Sequence, residues 1–217
     1  MIKLQYLKMS NGVNKNLPLI IAGAMVLIIA AYSYFAPSGR VFEFSRQMIP
    51  DKKVLSSVIP AIAERFNYLS KNGNSTCSAT FKNSIPAMSD TDKIRGSCCS
   101  PMSLHRYSEQ VEGLKKFKEV SGQNVAEIPD DPYDVDAGLA KKLLSYYDLE
   151  LTSEEQKAYD YAMLNSHEKG PCCCKCWRWF VYGGLAKFLI RHYNFTGEQI
   201  TKVWNLSDGC GGEEIHN

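Results

Sequence analysis

From residue 52 onward, apolar side chains recur every three or four positions, the spacing of helices buried along one face. Val54, Leu55, Val58, Ile59, Ile62, Phe66 and Leu69 set the first such period over 52–70, interrupted by Pro60, whose missing N–H weakens a helix interior. Lys71 to Lys93 is rich in Ser, Asn and Thr and reads as a loop, the least structured part of this region, carrying Cys77 and Met88. Leu104, Tyr107, Val111, Leu114 and Phe117 line one face of a helix over 103–119, with Ser103 placed to cap it. After a turn-rich connection from Asn124 to Pro132, Val135, Leu139, Leu143 and Leu144 point one way along a helix over 135–147, with Gly138 as a weak position inside it. Two capping boxes open further helices: Thr152-Ser-Glu-Glu155 and Thr196-Gly-Glu-Gln199. Between them, Trp177 to Tyr193 is apolar on most faces, and the chain closes in a Gly-rich turn around Cys210. No strand-like alternation competes and no repeat is present. The pattern predicts an all-α domain over 52–217.

The first 51 residues differ in kind. Leu17 to Ala36 is a run of 20 residues without a charge, long enough at ~1.5 Å per residue to cross a hydrocarbon core of ~30 Å. Lys3, Lys8 and Lys15 precede it, and Tyr32, Tyr34 and Phe35 sit at its far end, where aromatic rings favour the interface. Its length, and an exit that makes a poor cleavage site, favour an uncleaved signal-anchor over a signal peptide. The positive-inside bias then makes 1–16 a cytoplasmic N-terminus, 17–36 a transmembrane helix, 37–51 a linker, and 52–217 an extracytoplasmic domain of the cell membrane.

Composition narrows the function by exclusion. With a net charge of +2 and 22% charged residues, the chain has no basic face that calls for nucleic acid. Gly-rich phosphate loops, nucleophile elbows and paired His–Glu zinc-protease helices are missing, so nothing points to nucleotide binding or to an enzyme. No Cys-x-x-Cys-His motif for covalent haem occurs, and the ferredoxin spacings are absent too. Sequons at Asn74, Asn194 and Asn205 agree with export but arise easily by chance.

What remains is sulfur. Four of the eight cysteines crowd into Pro171-Cys172-Cys173-Cys174-Lys175-Cys176-Trp177. A segment that dense cannot pair its own thiols without strain, so partners come from Cys98, Cys99, Cys210 and Cys77. If a helix starts near Pro171, Cys172, Cys173 and Cys176 share a face, Cys174 points away, and the helix N-terminus favours thiolate. Soft sulfur ligands select Cu(I) or Zn(II). Tetrahedral zinc would draw on Cys172 and Cys176 with two of Cys98, Cys99 and Cys210. Cu(I) also accepts thioether, bringing in Met102 and Met88, while His105 and His167 are nitrogen candidates near the cysteine groups. Trp177, Trp179, Phe180 and Tyr182 read as core that would shield such a site. Binding or delivery of a soft metal, with a metal-donor or metal-acceptor protein as partner, leads. A disulfide-stabilised interaction domain is the alternative, for which eight cysteines allow 105 connectivities. Thiol–disulfide exchange comes third.

Pro171-Cys172-x-Cys174-x-Cys176 resembles the core of the exported, membrane-anchored bacterial proteins known for a Pro-Cys-Tyr-Cys-Gly-Cys motif, in which a helix also ends just before the motif. The resemblance covers under a tenth of the chain. Cys173 stands for Tyr, Lys175 for Gly, Trp177 follows directly, and that family's later Cys-x-x-Cys helix is absent. It implies an extracytoplasmic location and metal handling, with Cys172, Cys174 and Cys176 as the corresponding positions.

Overall fold

The structure, a computed structural model, describes residues 52–78, 80–121 and 125–211. The chain divides into two units, 1–55 and 56–217, and apart from the first residues of α1 everything below belongs to the second. The predicted anchor over 17–36 and the linker over 37–51 lie outside the described residues. Among those described, no helix is long and apolar enough to cross a membrane.

Seven helices account for most of the fold: α1 Lys52–Lys71, α2 Phe81–Ser84, α3 Leu104–Ser121, α4 Ala137–Ser145, α5 Ser153–Asn165, α6 Trp177–Tyr193 and α7 Gly197–Ser207. A single 3-10 turn, Ile85–Ala87, follows α2. The expectation of a purely helical domain needs one correction. Strands β1 (Lys93–Arg95) and β2 (Asp134–Asp136) pair antiparallel, with Ile94 opposite Val135. Both of those side chains are buried, so Val135 reaches the core from a strand and not from the start of a helix. Three residues are too few to show a two-residue period, which is why the pattern escapes notice in sequence. The polar stretch 71–93 is also less loose than expected, because α2 and the turn behind it drive Ile85 fully into the core.

Helix α6 is the axis of the domain. Apolar on most faces, it buries Trp177, Val181, Tyr182, Leu185, Ala186, Phe188, Leu189 and Ile190. Neighbouring helices cover it: α4 lies along one side and α5 and α7 pack together beside it. The approach of α4 is so close that a Cβ on Gly184 would stand 1.9 Å from the carbonyl oxygen of Leu143. Both predicted capping boxes are formed. Thr152 Oγ1 accepts from the Glu155 amide while Glu155 accepts from the Thr152 amide, and Thr196 and Gln199 repeat the exchange at α7. Asn194, in the left-handed region at φ 53°, ends α6 and turns the chain into α7.

Two consequences follow for stability. Gly184→Ala is expected to lower the unfolding free energy of the full-length chain by about 3 kcal/mol in denaturant titration, because the backbone of α4 has to move. Thr196→Ala, which removes only a cap, is expected to cost about 1 kcal/mol in the same titration.

Candidate metal centre

The cysteine-rich segment is not the first turn of a helix. Residues 169–176 form a run of bends, and α6 begins at Trp177 with Cys176 in the capping position. Gly170 (φ 156°) and Pro171 keep the chain out of helical geometry. This overturns the expectation of a helix start at Pro171, and with it the expectation that Cys174 points away. A helix fans successive side chains around its axis, whereas an irregular turn presents consecutive ones to the same point.

That point is shared by every cysteine of the chain. Cys172 Sγ lies 3.1 Å from Cys210 Sγ and 3.7 Å from Cys176 Sγ, and Cys173 Sγ lies 3.0 Å from Cys210 Sγ. Cys98 reaches Cys176 at 3.8 Å and its neighbour Cys99 at 3.6 Å. Cys99 in turn sits 3.5 Å from both Cys173 and Cys174. Four groups of three have their sulfurs mutually within 4.8 Å: Cys77/Cys99/Cys174, Cys98/Cys172/Cys176, Cys98/Cys99/Cys210 and Cys172/Cys173/Cys210. The cluster runs from buried (Cys172, Cys176, Cys210) to exposed (Cys77, Cys99, Cys173). All eight are free thiols, and most have several sulfur neighbours instead of one bonded mate.

Three distant segments deliver these sulfurs, each held by its own bonds. The 97–100 turn is tied to the C-terminal turn: the Ser100 amide and Oγ both donate to the Cys210 carbonyl, at 3.0 and 3.1 Å, and the Cys98 amide donates to Gly209 O at 3.4 Å. The C-terminal turn is anchored from below by Asp208, which accepts from Gln110 Nε2 (2.7 Å) and Arg106 Nη2 (3.1 Å) of α3. Tyr133 donates to Gln110 at 2.8 Å and completes a buried polar network, each member satisfied by another. Cys77 arrives because its strand-like approach docks on β1. The amides of Asn74 and Ser75 both donate to Arg95 O, and Ser75 Oγ accepts from Trp177 Nε1 at 2.9 Å. Cys77 is the residue that sequence reasoning left outside the ligand set, since its route depends on this long-range docking.

Beneath the sulfurs lies Arg178, fully buried. It donates to Pro132 O (2.6 Å) and Gly96 O (3.0 Å), its guanidinium stacks on Trp177 at 4.6 Å, and its buried Nε has no partner. Gly209, at φ 55°, lies so close over it that a Cβ there would come within 2.3 Å of the guanidinium carbon. Among the described residues no carboxylate pairs with it. Burial disfavours its charge, while Tyr182, Cys98 and Cys172 favour it, and the charged form prevails. On the sulfur side, contacts from Cys172, Cys176 and Cys210 hold the Cys98 thiol far below its ordinary value, with help from the positive charge of Arg178 and against burial. Contacts with Cys176, Cys210 and Cys98, together with burial, push Cys172 the other way. Burial does the same to Cys99. Within the cluster Cys98 is therefore the sulfur disposed to carry negative charge, beside the Arg178 guanidinium.

The remaining sequence candidates fall elsewhere. Met102 packs against the separate apolar cluster of Leu69, Tyr107 and Tyr133, with its sulfur 3.8 Å from Ser70 Oγ. His105 and His167 are exposed, and neither enters a sulfur group among the described residues. Trp177 and Tyr182 are buried, as expected of core residues flanking the site, and Trp179 and Phe180 are half-buried.

Arg178→Met, unbranched and uncharged, strands two buried carbonyls and leaves the sulfurs without their cation. The expected loss is about 3 kcal/mol of unfolding free energy for the full-length chain, read by denaturant titration under reducing conditions. Comparison with family models, with curated proteins and with solved structures finds no match, so the functional reading rests on this geometry and its chemistry.

Proposed function

We propose that the protein is a membrane-anchored, extracytoplasmic cysteine-rich protein that binds or delivers a soft metal ion, Cu(I) first and Zn(II) second. One observation carries the reading: all eight sulfurs of the chain converge in a single pool, in groups close enough to share an ion. With a metal–sulfur bond of ~2.3 Å, the zinc value, a flat sulfur triangle has edges of about 4 Å, within the spacing seen here. The donor set is sulfur alone, which favours soft cations, and among the described residues the mutually close groups are threes. Structural zinc takes four ligands, so triads favour Cu(I). The buried guanidinium supports the reading further, since metal–thiolate groups are anionic and a cation beside them offsets the cost of burying that charge.

The anchor over 17–36 and the resemblance of Pro171-Cys172-x-Cys174-x-Cys176 to exported proteins support the location. The partner is then a protein that donates or accepts the metal, exchanged through the exposed sulfurs Cys77, Cys99 and Cys173. A disulfide-stabilised interaction domain would need each sulfur committed to one mate, which a shared pool does not favour.

Anaerobic titration of the reduced full-length chain with Cu(I) against a chromophoric chelator tests this. The chain is expected to take Cu(I) from the chelator. Replacing Cys98, Cys99, Cys172 and Cys210 with serine strikes every triad and is expected to abolish uptake, with helical content checked by circular dichroism. Undiminished uptake in that variant would end the proposal.

A further inference from the structure

The four sulfur groups are not independent, and the way they overlap has a definite form. Cys98 belongs to both Cys98/Cys172/Cys176 and Cys98/Cys99/Cys210. Cys172 belongs to the first of these and to Cys172/Cys173/Cys210, and Cys210 joins that last group back to the second. Three triads therefore close a ring. Each pair shares one sulfur, and each triad keeps one of its own: Cys176, Cys99 or Cys173. The fourth triad, Cys77/Cys99/Cys174, hangs from the ring through Cys99 on the exposed side.

We propose, resting on the soft-metal reading above, that the cluster is a trinuclear Cu(I)–thiolate centre, in which Cys98, Cys172 and Cys210 bridge pairs of ions and Cys176, Cys99 and Cys173 each bind one. Every ion then has three sulfurs, two bridging and one terminal. Loading three Cu(I) onto these six cysteines releases to solvent one proton for each sulfur that is still a thiol when it binds. The copper stays Cu(I), and no electron is transferred.

Electrostatics favours shared over unshared sulfurs once three ions are bound. Three separate Cu(I) ions on three thiolates each would leave six negative charges uncompensated, whereas the ring leaves three, one for each ion. In a pocket where Cys98, Cys172, Cys176 and Cys210 are buried or half-buried, that saving matters. Arg178, fully buried and with no carboxylate partner among the described residues, supplies one further positive charge on the inner side. The bridging positions also come from all three segments that build the ring: the 97–100 turn, the 171–176 bends and the C-terminal turn. Metal at the shared corners would staple these segments together.

Bridging and terminal sulfurs predict unequal losses. In a Cys77→Ser background, which takes the exposed triad out of play, copper retained against a chelator is expected to amount to three ions per chain, one for each ring triad. Adding Cys210→Ser breaks the two triads that share it, so capacity is expected to fall threefold. Adding Cys173→Ser breaks one triad, so capacity is expected to fall by only a third. Copper X-ray absorption on the unsubstituted chain is expected to show a short copper–copper distance that only a shared sulfur produces, a readout independent of how any variant folds. Uptake that stops at one ion, equal losses from Cys210→Ser and Cys173→Ser, or absorption without a copper–copper distance would each overturn the ring while leaving metal binding in place. No uptake at all would remove both.

Discussion

The buried guanidinium of Arg178, which has no carboxylate partner among the described residues, is the constraint on which this domain turns. Arg178 satisfies two of its nitrogens on backbone carbonyls, but hydrogen bonds to neutral carbonyls do not cancel its charge. Among the described residues, the groups beside it that can turn negative are thiols and phenols, and of these Cys98 is the one held far below its ordinary value. The need runs in both directions: a thiolate drawn into a core calls for a cation, and the buried cation calls for the thiolate. Placing Arg178 in the first turn of the central helix, directly after the cysteine bends, lets one short segment supply both signs of charge.

The rest of the architecture serves to bring sulfurs to that spot. Helix α6 fixes the bends at its N-terminal end, and α3 reaches across through Arg106 and Gln110 to hold Asp208, so that Cys210 cannot drift. The small sheet, which adds little to the core, orients the turn after β1 that carries Cys98 and Cys99. Glycines stand where chains have to pass close: Gly184 at the crossing of α4 and α6, and Gly209 over the guanidinium. Chelation and folding are linked in such an arrangement, since an ion bound by segments far apart in the sequence stabilises the state that brings them together.

Much of this is legible in the chain itself. The helices over 104–121, 153–165, 177–193 and 197–207 are announced by apolar periodicity and by two capping boxes that form as written. The convergence of Cys98, Cys99 and Cys210 on the 172–176 segment follows from the density of thiols that cannot pair among themselves. Three features stayed hidden for physical reasons. The strands are too short to carry a period. The start of α6 is set by Gly170 and Pro171 acting as breakers, although proline is equally at home in a first helical turn. Cys77 joins only through the docking of Asn74 and Ser75 on β1, a contact that no local pattern encodes. Arg178 did leave a signal: a lone charge in Trp177-Arg178-Trp179-Phe180-Val181-Tyr182, a helix start with no polar face to carry it, has to be buried and therefore balanced.

Whether the eight sulfurs form one exchangeable pool or a set of bonded pairs is decided by their chemical state once metal is stripped. The direct measurement is alkylation of the full-length chain, purified without reductant and unfolded with a chelator present, followed by mass spectrometric mapping of each cysteine. A shared pool predicts that all eight are alkylated. Defined disulfide pairs linking the 98–99, 172–176 and 210 positions would contradict it.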